Sequence, residues 1–258
     1  MQQFLEIDNL TVFGLILMRM LGCIAFNPIL GRRNVPVMMK AGISLMLAIL
    51  IYYYTDISSV PAVQSTVEYI VLSAKELLVG FAIGFVVSLF MYIIILGGEV
   101  IDMQMGLSMS KVYDPGSNVA MSLNATFYTV LFMFMFFSIN GHLTLFKLFL
   151  ELAKVIPYGH VLFGKELATG MISVFCQCTI LGVKLAMPII ALQFFIEMAF
   201  GVLMRNIPQI NVIMINIQAK IFIGFIFLII IFTPTMSFVE NAIDQLFNAI
   251  IQIAKLMG

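Results

Sequence analysis

Charge is what this chain has least of. Lys, Arg, Asp and Glu make up 10% of its 258 residues, whereas soluble domains carry about a quarter. The 13 basic residues balance the 13 acidic ones, so composition gives no reason to expect nucleic acid as a partner. Cysteine is also sparse. Cys23, Cys176 and Cys178 all fall in apolar runs, and an odd count excludes a closed disulfide framework. The Cys-x-Cys pair lacks the second half of a metal site, and the three thiols read as buried and inert. Histidine occurs twice, at His142 and His160, without the spacing of a ligand set, so neither a metal nor a cofactor is expected. No phosphate-cradling GxxxxGK[ST] loop exists, which sets ATP chemistry aside. No basic residue precedes Arg19 and the first turns carry Glu6 and Asp8, so no removable leader is expected.

What the chain has in abundance is apolar length. Hydrophobic residues make up 62% of it, the composition of a protein built for lipid or for a wholly buried assembly. A helix needs about 20 predominantly apolar residues to span a bilayer. Six candidates follow: residues 10–31, 41–55, 77–98, 118–140, 167–204 and 221–239. The second is short, closing on Tyr52, Tyr53 and Tyr54 as an interfacial aromatic cluster does. The fifth contains Lys184, Pro188 and Glu197 and reads as one long, bent helix. The expected fold is therefore all-α, of integral-membrane type. Lys and Arg, counted by alternate connections, divide six against five, so the positive-inside rule assigns no orientation. Either the topology is unusual or not every helix crosses a bilayer.

Breakers set the expected boundaries. Pro28, Gly31 and Pro36 bracket a turn with Arg32 and Arg33 at its tip. Pro157 and Gly159 mark a loop, and residues 205–209, with Arg205, Pro208 and Gln209, read as the tip of a helical hairpin. Asp114-Pro115 reads as the start of a helix, with Asp114 as its cap and Pro115 in its first turn. Gly80 and Gly84 form a GxxxG spacing that permits close helix approach.

Polarity concentrates in one seam, Gly97 to Gly116, between uncharged runs of 22 and 32 residues. If helical, Glu99 and Asp102 share a face and Met105, Met109 and Tyr113 form a stripe. Paired carboxylates suit a proton relay, or they cap a helix end or meet another subunit. The methionines suit either packing or a compliant seal. Elsewhere Arg19 interrupts an apolar run. An arginine at a bilayer midplane costs about 2.5–3.5 kcal/mol on insertion scales, so it requires a carboxylate or backbone carbonyls in its own or another subunit. Glu197 and Lys220 lie about equally far from the hairpin tip, either pairing across two helices or facing a partner or polar lumen.

Three segments carry a family resemblance: PILGRRNVPVMMK, GEVIDMQMGLSMSKVYDP with NGHLTL downstream, and LAMPIIALQFFIEMAFGVLMRNIPQINV. In this order the chain resembles the FliR family of type III export-gate proteins, which has flagellar and injectisome branches; the GE-x-ID-x-QMG…DP pattern favours the flagellar one. Ile213 and Gln218 depart from the family pattern, which commonly has Phe and Pro there. The resemblance implies a FliP-like helical part over residues 1–165 and a FliQ-like helical hairpin over 166–258. It implies a channel built with FliP and FliQ, near FlhA and FlhB, in the bacterial inner membrane at the flagellar basal body. Much of that channel would stand above the bilayer plane, in contact with lipid and with unfolded export substrates in transit. It further implies that Met105 to Gly116 plugs the pore, with Met109, Val112 and Tyr113 facing inward and Asp114-Pro115 fixing the turn. A secondary transporter of small solutes, coupled through Glu99, Asp102 and Glu197, is the competing class. It would require inverted repeats, and none is visible. An intramembrane enzyme would require a nucleophile with a base, or a metal set, inside the apolar runs, and neither appears.

Overall fold

The computed structural model describes residues 7–32, 34–54, 65–107, 112–114, 119–161, 163–206 and 212–258. Eight α-helices account for nearly all of these residues: α1 Ile7–Ala25, α2 Val37–Tyr54, α3 Thr66–Met105, α4 Leu123–Ser138, α5 Gly141–Val155, α6 Lys165–Asn206, α7 Val212–Ile230 and α8 Phe232–Lys255. Between α3 and α4 lies a two-stranded antiparallel ribbon, β1 Val112–Asp114 and β2 Val119–Met121, in the register Val112↔Met121, Tyr113↔Ala120, Asp114↔Val119. Among the described residues the architecture is all-helical apart from this ribbon.

Helix ends follow local chemistry. After α1 the Asn27 side chain turns back, its Oδ1 accepting the Ile29 and Leu30 N–H groups at 2.8 and 3.2 Å, and the Asn27 carbonyl accepts the Gly31 N–H at 2.7 Å. Pro36 opens α2 by accepting from Met39 and Lys40, and the Lys40 ammonium reaches back to the Gly31 carbonyl at 2.8 Å. Lys40 therefore lies inside α2, which starts four residues before the expected 41–55 run. A left-handed Asn140 (φ 56°) separates α4 from α5, a helix that the list of six runs does not contain. The expected 221–239 run is divided at Ile231, where α7 and α8 meet with a bend of 66° and Pro234 sits in the first turn of α8. Gln218 lies within an unbroken α7, as a residue other than proline allows.

At about 1.5 Å per residue, the 40 residues of α3 and the 42 of α6 each extend about 60 Å, twice the hydrocarbon thickness of a bilayer. With α2, they are the three described helices long and apolar enough to cross a membrane; the bent pairs α4–α5 and α7–α8 also qualify if each is one span. Pro188 is accommodated inside α6.

The chain forms two compact units. The first comprises residues 1–89, 139–175 and 244–258, the second 90–138 and 176–243. In the first, α1 buries Leu15, Ile16, Met20, Cys23 and Ile24, a stripe at helical spacing, and α5 buries Leu145, Phe149 and Leu152. Gly22 and Gly80 bring α1 and α3 into backbone contact: a Cβ on Gly80 would lie 2.6 Å from the Cys23 nitrogen and 2.7 Å from the Gly22 Cα. In the second unit, Phe132 and Phe136 stack with centroids 6.4 Å apart, and Leu185 packs over Gly97. Many large apolar side chains stay exposed, among them Phe195 at 67% and Phe222 at 69%, an apolar exterior suited to lipid or partner subunits. Cys176 is one of the exposed residues, which corrects the expectation of three buried thiols. Two helical positions rotate a side chain by about 200°, so Cys176 faces out while Cys178 faces in.

Candidate functional site

The polar seam does not continue as a helix. Helix α3 ends at Met105 because Gly106 takes φ +80°, a left-handed conformation that glycine adopts without steric cost. The Leu107 N–H then bonds the Asp102 carbonyl at 2.8 Å, and the Gly106 N–H bonds that of Met103 at 3.3 Å. This paired closure satisfies the last carbonyls and stops the helix. The expected helical stripe of Met105, Met109 and Tyr113 is thereby corrected: Met105 ends the helix, Tyr113 lies in β1, and Met109 lies outside the described residues. Asp114 does not cap a helix either. It pairs with Val119 in the ribbon, and α4 begins only at Leu123. Val and Tyr favour strand, while Pro-Gly-Ser-Asn at 115–118 is turn-forming in composition, and this outweighs the helix-starting signal of Asp-Pro. Pro115 itself lies outside the described residues.

Asp102 is fully buried. Its Oδ2 accepts the Asn124 backbone N–H at 2.8 Å and its Oδ1 accepts the Asn124 side-chain amide at 2.5 Å. Asn124 is the second residue of α4, so the carboxylate faces the positive end of that helix. Glu99, one turn earlier, is only partly buried, so the two carboxylates sit in different environments and do not form a matched pair. Met105 is also fully buried. Its Sδ receives the Asn124 amide at 3.8 Å, and its Cε would lie 2.7 Å from a Cβ on Gly224. Beside it, the buried Gln193 of α6 donates to the Lys220 carbonyl of α7 at 3.0 Å. One turn along α6, Glu197 forms an ion pair with the Lys220 ammonium; Lys220 is largely covered and Glu197 half exposed. The foot of the seam is thus a polar knot within the second unit.

A second polar cluster lies in the first unit. Arg19, fully buried, donates from Nε to Glu76 Oε2 at 2.6 Å and from Nη1 to the Ile156 carbonyl at 2.8 Å. The other Glu76 oxygen accepts the Gly159 N–H at 2.9 Å. The Tyr158 ring lies 3.9 Å beneath the Arg19 guanidinium carbon, and burial raises the phenol's pKa against the lowering effect of Arg19. The pair therefore grips both sides of the turn between α5 and α6, where Gly159 takes φ +84°. Arg205 is exposed at the end of α6, while Arg33, Pro208 and Gln209 lie outside the described residues. Of Val112, Tyr113 and Asp114, the backbone pairing is what is described.

Sequence reasoning singled out Arg19 but not Glu76, and Asp102 but not Asn124. Glu76 stands one residue before the uncharged run that begins at Leu77, and no local spacing relates it to Arg19. Gln193 carried a usable signal, four residues before Glu197 in a stretch otherwise apolar.

A family model described as bacterial export proteins, family 1, matches residues 10–246. The chain belongs to that family. It is similar to the flagellar biosynthetic protein FliR of Bacillus subtilis, 27% identical over 98% of both chains. It is equally similar, at 27% identity, to FliR of Escherichia coli, over 98% of this chain and 95% of the other. The Yop proteins translocation protein T of Yersinia pestis is 24% identical over 90% of each. The matched span of this bacterial export protein takes in the seam, the α6–α7 clasp and the Arg19 cluster.

Proposed function

We propose that the chain is the FliR-type subunit of a flagellar type III export gate, a channel component through which unfolded flagellar proteins leave the cell. The observation that carries this reading is the likeness to flagellar FliR proteins of two different bacteria over 98% of the chain. Supporting it are helices that expose apolar side chains as an assembled membrane subunit would, and a family of export proteins rather than of enzymes. In this reading the chain assembles with FliP and FliQ, close to FlhA and FlhB, in the inner membrane at the basal body. Residues 1–165 supply the FliP-like part and 166–258 the FliQ-like hairpin.

The gate in this proposal is the segment from Met105 to Gly116. Met105 is its anchored end, and Met109, Val112 and Tyr113 are its pore-facing seal. A compliant apolar constriction excludes water and ions yet deforms around a passing chain. Met109→Gly combined with Tyr113→Gly is expected to make the resting channel conduct ions, and wild-type conductance in that variant overturns the gate assignment. Detergent extraction of tagged chain tests the assembly: a large multi-subunit complex is expected, and a solute-transporting monomer refutes it. The likeness to the Yersinia translocation protein keeps a virulence secretion apparatus as the second reading, weakened by its lower identity and coverage.

A further inference from the structure

Arg19, Asp102, Glu197 and Lys220 each meet a partner within the chain. Lys184 does not. It stands in the middle of α6, about 30 Å from either end at the helical rise, and is the one charged residue between Glu166 and Glu197. Its side chain is exposed, and it forms no ion pair or hydrogen bond among the described residues. The exposed residues one turn away are Ile180, Val183 and Met187, with Phe194 and Phe195 further along. Glu99 lies at the same level of the packed helices α3 and α6. A Cβ on Gly97 would lie 2.6 Å from the Leu185 Cδ2, and one on Gly182 2.9 Å from the Leu96 Cδ2. Yet Glu99 makes no ion pair with Lys184. Lys184 and these neighbours belong to one compact unit.

An unpaired ammonium on such a surface is costly in hydrocarbon. A headgroup boundary drawn at Lys184 would leave Phe194 and Phe195 in water on one side, or Ile172 and Ile180 on the other. A water-filled lumen would not be walled by Ile180, Val183 and Met187 around the charge. We propose that this face of α6 packs against an apolar helix of another subunit, and that a carboxylate on that helix pairs with Lys184. This rests on the assembly reading above, and not on its gate. The apolar side chains supply contact area, and the ion pair supplies register. A neighbour displaced by one helical turn, about 5.4 Å, would separate the two charges and leave both uncompensated. A neighbour with a cation at that height would be rejected.

The test uses the full chain assembled with its partner subunits in membranes. A membrane-permeant carbodiimide joins a lysine amine to a carboxylate in contact with it, forming an amide with loss of water. It is expected to couple this chain to another subunit through Lys184, located by peptide mass spectrometry, and Lys184→Met should lose that product. Coupling of Lys184 to Glu99 of its own chain, or no Lys184 product from an intact assembly, overturns the proposal. So does modification of Lys184 in the intact assembly by a water-soluble amine reagent supplied to both sides of the membrane, the mark of a lumen or headgroup position. Lys184→Glu is expected to lower the yield of assembled complex by on the order of tenfold or more, and Lys184→Arg to keep it. The Lys184→Glu chain purified alone in micelles is expected to keep wild-type circular dichroism, since the residue has no partner inside the chain; loss of helix there overturns the proposal. If the complex forms and Lys184→Glu leaves its yield unchanged, the pairing alone fails. If the wild-type chain enters no multi-subunit complex, the assembly reading falls and takes the pairing with it.

Discussion

Glu76→Leu should be among the most destabilising single changes in the first unit. Arg19 has no exposed surface, so removing its carboxylate strands a buried guanidinium on one carbonyl and one aromatic face. Breaking a buried ion pair from one side costs about 3–5 kcal/mol, and the Gly159 N–H loses its acceptor in the same stroke. Arg19→Leu should cost a similar amount, because Glu76 is left with that N–H alone. The double replacement differs. It removes both charges and leaves two backbone groups without partners, the Ile156 carbonyl and the Gly159 N–H, at about 1–3 kcal/mol each. The expected totals are therefore about 2–6 kcal/mol for the double variant against about 6–10 kcal/mol for the summed singles. Unfolding of the purified chain in mixed micelles, titrated with a denaturing detergent and followed by circular dichroism, measures all three. If the double variant loses as much as the two singles added together, the residues act independently and the clamp on the α5–α6 turn is wrong.

The same cluster predicts that Tyr158→Phe stays close to native stability, since the ring under Arg19 is kept. Tyr158→Leu should lose on the order of 2 kcal/mol of desolvated cation–π attraction in the same titration. Gly80→Ala should destabilise by about 1–3 kcal/mol, because its new methyl meets the α1 backbone, which cannot rotate away. Gly42→Ala in α2 should instead gain about 0.5–1 kcal/mol, since open space surrounds it; equal melting shifts for the two would contradict the crossing geometry. Reversing either Glu197 or Lys220 should cost no more than about 1 kcal/mol, given the half-exposed carboxylate, and the reciprocal swap should recover it.

Much of this architecture is legible because polarity is rare here. Arg19 needs a partner on energetic grounds, and the structure supplies Glu76. The identity of that partner is not legible, since 57 residues separate the two and no local spacing relates them. Glu197 and Lys220 are the easier case, because two antiparallel helices bring together positions equidistant from their tip, and the ion pair lies where that symmetry puts it. Where almost every residue is apolar, by contrast, hydrophobic periodicity has little contrast and helix ends must be read from breakers. At Gly106 that rule was available: a glycine followed by leucine after a helical run is the pattern of a left-handed stop. Extending the 105–109–113 stripe through it placed periodicity above backbone conformation. Asp114-Pro115 failed for the opposite reason, as a local helix-start signal embedded between strand formers that pair with each other. The most consequential residue, Asn124, left no trace in composition or pattern. A neutral amide in an apolar run has value only through the carboxylate 22 residues away that its first helical turn happens to face, and that juxtaposition exists only once α3 and α4 are packed.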